Sequence, residues 1–100
     1  MSGADRIETA TIARADGLMA AEAGDELLMM NVDLGRYFNL NAVGARVWEL
    51  LETPTTLDRL VEALTAEYSV SPDIARAEVT AFLKELHARG LVKVGDAAAA

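Results

Sequence analysis

The sequence is very poor in cysteine and histidine, two residues on which much catalysis and metal binding depend. It has no cysteine and a single histidine among its 100 residues. The chain therefore cannot form a disulfide, a thiolate nucleophile or a histidine-rich metal cluster. Gly35 and Gly44 are isolated, so no glycine-rich phosphate loop is present. We predict a protein that is not an enzyme and that needs neither a metal nor a cofactor.

Basic residues are also scarce. Nine lysines and arginines stand against sixteen acidic residues, and the formal net charge is −7. An acidic surface repels nucleic-acid phosphates unless its basic residues cluster, and here they are scattered. No apolar stretch approaches membrane-spanning length, and no signal-peptide pattern opens the chain. We expect a cytoplasmic protein that binds neither nucleic acid nor membrane.

Hydrophobic residues make up 52% of the chain, which is enough for one modest core. We expect one domain over residues 17–94. Weak periodicity before it predicts a flexible N-terminal arm over residues 1–16, and the alanine-rich end predicts a disordered tail over residues 95–100.

The first half of this domain has the pattern of an antiparallel meander. Residues 18–22, 27–30 and 36–40 are candidate strands, and turn-forming residues separate them at 23–25 and 33–35. Tyr37 and Phe38 are consecutive, so their side chains should point to opposite faces of the sheet. One ring can then join the core while the other remains exposed.

The second half has helical spacing with clear start and stop signals. Asn41 is a good N-cap, and Pro54 ends the first helix. Residues 55–58 fit a capping box, Ser71 with Pro72 starts a third helix, and Gly90 ends it. Strands followed by helices predict an α+β fold, in which a three-stranded antiparallel sheet precedes three helices in a winged-helix-like arrangement.

Residues 35–51 carry a recognisable block: a glycine, an aromatic pair, Leu-Asn, small residues and then Trp-Glu-Leu-Leu. This block resembles the PqqD-like family of recognition elements for RiPPs, the ribosomally synthesised and post-translationally modified peptides. Within that family the chain most resembles the stand-alone leader-binding proteins of lasso-peptide pathways. The resemblance implies a protein that binds the leader segment of a precursor peptide, whose motif is Tyr-x-x-Pro. It also implies two further partners, the cysteine protease that removes the leader and the ATP-dependent macrolactam cyclase.

In the family the leader lies in a cleft between the third strand and the third helix. This cleft carries over to strand 36–40 and helix 72–89 of the present sequence. A third strand at the edge of a meander has unpaired N–H and C=O groups, to which a peptide can add as a further strand. Val79 and Leu83 are spaced to form an apolar floor, and Arg36 and Arg76 can pair with leader acids. The predicted peptide-binding residues are Arg36, Tyr37, Phe38, Asn39, Leu40, Ala75, Arg76, Val79 and Leu83.

Two other functions stay open at this stage. A winged-helix regulator of transcription would present basic or amide side chains to DNA from a recognition helix. The third predicted helix contains Arg76, Lys84 and Arg89 but also Glu78 and Glu85, which opposes DNA binding. The second alternative is an adaptor that binds a folded partner instead of a peptide. A gel shift at low salt and a leader-peptide titration distinguish the three.

Overall fold

The computed structural model describes residues 7–95, which form five strands and three helices. In chain order these are β1 (Thr11–Arg14), β2 (Leu18–Ala23), β3 (Glu26–Asn31), β4 (Arg36–Leu40), α1 (Ala42–Leu50), α2 (Leu57–Glu67), α3 (Pro72–Ala88) and β5 (Val92–Gly95). The predicted α+β fold, with a three-stranded antiparallel sheet followed by three helices, is confirmed.

The main sheet has the strand order β2-β3-β4, and both pairings are antiparallel. The hairpin turns contain Gly24 and Gly35, whose φ angles of 67° and 63° favour glycine. In the register of the sheet, Met29 lies opposite Phe38 and Met30 opposite Tyr37. Within residues 7–95, β4 pairs only with β3. The prediction that the strand at 36–40 is an edge strand is therefore confirmed.

A second, two-stranded sheet joins the two ends of the domain. β1 pairs antiparallel with β5, and Ile12 also bridges to Thr55 through backbone hydrogen bonds of 2.7 and 2.9 Å. Ile7, Ala10 and Ile12 are buried in the core. The prediction of a flexible arm is therefore wrong for residues 7–16, because these residues contribute apolar surface and have a strand partner. Gly95 belongs to β5, whereas residues 1–6 and 96–100 lie outside the described part of the chain.

Side-chain caps begin all three helices. The Asn41 Oδ1 atom accepts a 2.9 Å hydrogen bond from the Gly44 amide, and Ser71 caps α3 through the Ile74 amide. The cap of α2 is Thr56, one residue later than the capping box beginning at Thr55 predicted. These caps satisfy amides that the first helical turn leaves without partners, and so they fix where each helix begins.

The core lies between the sheet and the helices. Its apolar side chains come from every helix, from β3 and β4, and from the β1–β5 sheet. Trp48 is buried with 5% of its surface exposed. Tyr68 directly follows α2 and is 40% exposed, because α2 ends at Glu67 and the backbone of Tyr68 is extended. None of the helices in residues 7–95 is long and apolar enough to cross a membrane.

Candidate functional site

A groove of about 690 Å³ lies between β4 and α3. The β4 wall consists of Tyr37, Phe38, Asn39 and Leu40. The α3 wall consists of Ala75, Glu78, Val79, Phe82, Glu85, Leu86 and Arg89. Residues of α1, together with Leu64, Tyr68 and Val70, close the groove beside the N-terminal end of α3. The groove is therefore open along the strand and walled by helices elsewhere.

The β4 wall exposes the edge of the strand. The four residues of the β4 wall are consecutive, so their side chains point alternately to the two faces of the sheet. All four line the groove, and the groove must therefore run along the edge of the strand. Phe38 points inward and is 9% exposed, whereas Tyr37 is 66% exposed. The prediction that these two rings diverge is confirmed. The backbone groups of β4 that face away from β3 are thus available to a further strand.

The α3 wall is one stripe of a helix, with residues spaced three or four apart. Ala75, Val79 and Leu86 form its buried apolar floor, and Phe82 is half-buried above them. Gly44 of α1 makes room for this ring: a Cβ atom on Gly44 would lie 3.1 Å from the Phe82 Cζ atom. The groove floor therefore suits apolar side chains.

Three charged residues line the groove: Glu78 and Glu85 on α3, and Arg89 at the C-cap of this helix. The guanidinium of Arg89 lies 3.1 Å from the Glu85 carboxylate and 5.3 Å from the centre of the Phe38 ring. Arg89 therefore connects the helix wall to the strand wall at one end of the groove. Glu78 lies toward the other end and forms no ion pair with any residue in the described range.

An ion-pair network connects the two helices that close the groove. Arg46 of α1 pairs with Glu67 at the end of α2 at 2.8 Å, and with Glu49 at 2.9 Å. The hydrogen bond from Arg46 lowers the pKa of Glu67, and desolvation opposes this effect in part. This network holds the end of α2, and with it Tyr68, against α1.

Most of the predicted site residues line this groove. Tyr37, Phe38, Asn39, Leu40, Ala75 and Val79 come together there, whereas Arg36, Arg76 and Leu83 do not line it. Arg76 forms an ion pair with Asp58 of α2. With 3.6 residues per turn, Arg76 lies about 120° around α3 from Phe82, on the side of the helix that faces α2. Leu83 is fully buried in the core, and Arg36 is exposed at the start of β4.

The predicted site residues do not include the later part of the α3 stripe. Phe82, Glu85, Leu86 and Arg89 continue the spacing of Ala75 and Val79 by three- and four-residue steps. Extending that periodicity to the end of the helix would have found them. No periodicity in the sequence indicates that residues of α1 also line the groove, because their position depends on how α1 packs against Phe82. The part of the chain between residues 7 and 95 contains no cluster of three or more His, Cys, Asp or Glu side chains suited to a metal ion.

Comparison with known proteins identifies the family. No curated protein sequence matches the chain. The solved structure described as "TbiB1 in Complex with the TbiA(beta) Leader Peptide" is 33% identical, with a TM-score of 0.76 over 81% of this chain and 94% of that chain. A second, "Lasso peptide synthetase B1 complexed with the leader peptide", is 20% identical, with a TM-score of 0.74 over 82% of this chain and 96% of that chain, and shares the fold.

The sequence model of the family described as "Coenzyme PQQ synthesis protein D (PqqD)" matches residues 26–92. This match covers β3 to the start of β5, and hence both walls of the groove. The resemblance noted at residues 35–51 is thereby confirmed, and the chain belongs to the PqqD family.

Proposed function

We propose that this protein binds the leader segment of a ribosomally made precursor peptide, which adds to β4 as a further strand. The observation that carries the proposal is the free edge of β4 along a groove with an apolar floor. TbiB1, which is 33% identical, was solved with a leader peptide bound.

Strand addition divides the binding energy between backbone and side chains. Hydrogen bonds to β4 supply affinity that depends little on sequence. Alternate guest side chains point toward opposite faces, so one set enters the groove above Val79 and Phe82 while the other lies near Tyr37. The guest must become ordered when it binds, which limits affinity to roughly the micromolar to nanomolar range.

We propose that the domain acts by tethering and has no catalytic role of its own. Holding the leader places the rest of the precursor at an effective concentration on the order of millimolar near a docked enzyme. The proposed enzymes are a leader-removing cysteine protease, which contacts the domain directly, and an ATP-dependent macrolactam cyclase. This work would take place in the cytoplasm, where precursor peptides are made.

A peptide-display experiment tests the binding function without knowledge of the precursor. The probe is a library of 16-residue peptides with a fixed Tyr-x-x-Pro motif and random residues elsewhere. We expect the protein to enrich a family of sequences whose members bind saturably in fluorescence anisotropy. Failure to enrich any sequence over scrambled controls, or a gel shift with DNA and no peptide binding, would overturn the proposal.

A matched pair of variants places the binding site. Val43 is 45% exposed and lines the groove, whereas Val32 is 53% exposed in the β3–β4 turn outside it. Val43→Gln should weaken peptide binding by about fivefold, since covering the exposed part of a valine contributes about 1 kcal/mol. Val32→Gln should leave the affinity unchanged. Equal effects of the two substitutions would contradict binding in this groove.

A further inference from the structure

Glu78 is the exposed carboxylate of the groove wall without a positive neighbour. It lies on α3 between Ile74 and Phe82, one turn away in each direction, and neither residue is basic. The residues three positions away, Ala75 and Ala81, are alanines. No cation on its own helix can therefore reach it through the usual three- or four-residue spacing.

The rest of the groove provides no counter-charge either. Of the residues that line the groove within the described range, Arg89 alone is basic. It lies three turns further along α3, roughly 16 Å away along the helix axis, and already pairs with Glu85. The neighbouring basic residue, Arg76, is engaged with Asp58 on the far side of the helix.

A peptide in the groove would remove water from this carboxylate. A carboxylate that loses water without gaining a partner disfavours binding. A lysine or arginine on the guest would instead form a charge-assisted hydrogen bond with it, in surroundings that are drier than the free surface. Loss of water from Glu78 therefore disfavours guests without a basic residue at this position, and ion pairing favours guests that have one. The net charge of −7 adds a long-range attraction for basic peptides.

We propose that Glu78 is a specificity-determining residue that selects peptides with a lysine or arginine opposite it. The inference rests on the proposed peptide-binding function and narrows it to guests of one charge pattern. Such guests carry a basic residue at the end of the groove closed by α1 and α2. The pairing of this residue with Glu78 fixes the position of the guest along β4.

The test uses the same Tyr-x-x-Pro display library on four proteins: the wild type, Glu78→Gln, Glu78→Lys and Glu62→Gln. Glu62 is an exposed residue of α2 outside the groove, so Glu62→Gln matches the one-unit change in net charge that Glu78→Gln makes. The wild type and Glu62→Gln should enrich lysine or arginine at one library position. Glu78→Gln should lose that preference, and Glu78→Lys should replace it with aspartate or glutamate.

One enriched peptide then gives the strength of the interaction. Replacing its basic residue by methionine should weaken binding to the wild type by about two- to fivefold and leave binding to Glu78→Gln unchanged. Peptides that bind with no basic preference, or with a preference that Glu78→Gln retains, would overturn the role of Glu78 and leave the binding function intact. If no protein enriches any peptide, the binding function fails and the inference fails with it.

Discussion

Arg14 holds β1 against the end of α1, and its removal should weaken the whole domain. Its Nε and Nη2 atoms donate hydrogen bonds of 3.1 and 2.6 Å to the Trp48 carbonyl oxygen. The guanidinium also lies 4.8 Å from the centre of the Trp48 ring. Trp48 is in the last turn of α1, where its carbonyl oxygen also accepts a 3.1 Å hydrogen bond from the Leu51 amide and where a cation is favoured. The substitution Arg14→Ala removes all of these guanidinium contacts.

The expected loss of unfolding free energy is about 2 to 3 kcal/mol. A hydrogen bond to a charged group contributes about 1.5 to 3 kcal/mol, and a cation over an aromatic ring adds about 0.5 to 1 kcal/mol. These contributions overlap, because the same guanidinium makes both. In a domain of this size such a loss lowers Tm by roughly 10 to 20 °C.

Urea unfolding followed by fluorescence measures this loss, because Trp48 is the sole tryptophan. The Arg14→Lys variant keeps the positive charge but lacks the planar guanidinium that donates two hydrogen bonds at once. The stability of this variant should therefore fall between those of the wild type and Arg14→Ala. The control is Arg36→Ala, since Arg36 is exposed and forms no ion pair within residues 7–95. An Arg14→Ala protein within about 0.5 kcal/mol of the wild type, the usual range of surface substitutions, would refute the reasoning.

Three further outcomes are expected. Gly44→Ala should raise the free energy of unfolding by up to about 1 kcal/mol through its higher helix propensity, less the cost of crowding Phe82. The same substitution should weaken peptide binding, because the new methyl group displaces the Phe82 ring into the groove. Urea midpoints measure the first effect and fluorescence anisotropy the second. Tyr37→Ala should weaken peptide binding with little effect on Tm, since the ring is mostly exposed. The Arg46 hydrogen bond lowers the pKa of Glu67 in the folded protein. The ion pair therefore stabilises the fold fully at pH values above the ordinary glutamate pKa, and this stabilisation is lost as the pH falls through the lowered pKa. Glu67→Gln should therefore make the urea midpoint fall less steeply in acid, and an unchanged slope would contradict this role for the pair.

The main sheet and the helix starts were predictable because their signals are local. Gly24 and Gly35 mark turns that need positive φ angles, and Asn41 and Ser71 cap helices through amides three residues away. The alternation of side chains along a strand separates Tyr37 from Phe38 without any knowledge of the fold. The edge position of β4 follows because the meander ends there.

The rest depended on contacts between residues far apart in the chain. β1 is only four residues long and is held by β5 and Thr55, which no pattern within residues 1–16 reveals. Arg76 was expected in the groove, but its direction depends on where α2 places Asp58. Leu83 has the spacing of a groove residue but is buried in the core, because α3 packs against α2 and β5 as well as lining the groove.

Amide hydrogen exchange with a library-selected peptide tests the central claim most directly. Because the guest adds to the free edge of β4, the amides of β4 that point away from β3 should exchange at least about tenfold more slowly in the complex. The outer edge of β2 serves as the internal control, and its amides should exchange at the same rate with and without peptide. Saturating peptide that leaves β4 exchange unchanged, or that protects β2 instead, would contradict the account.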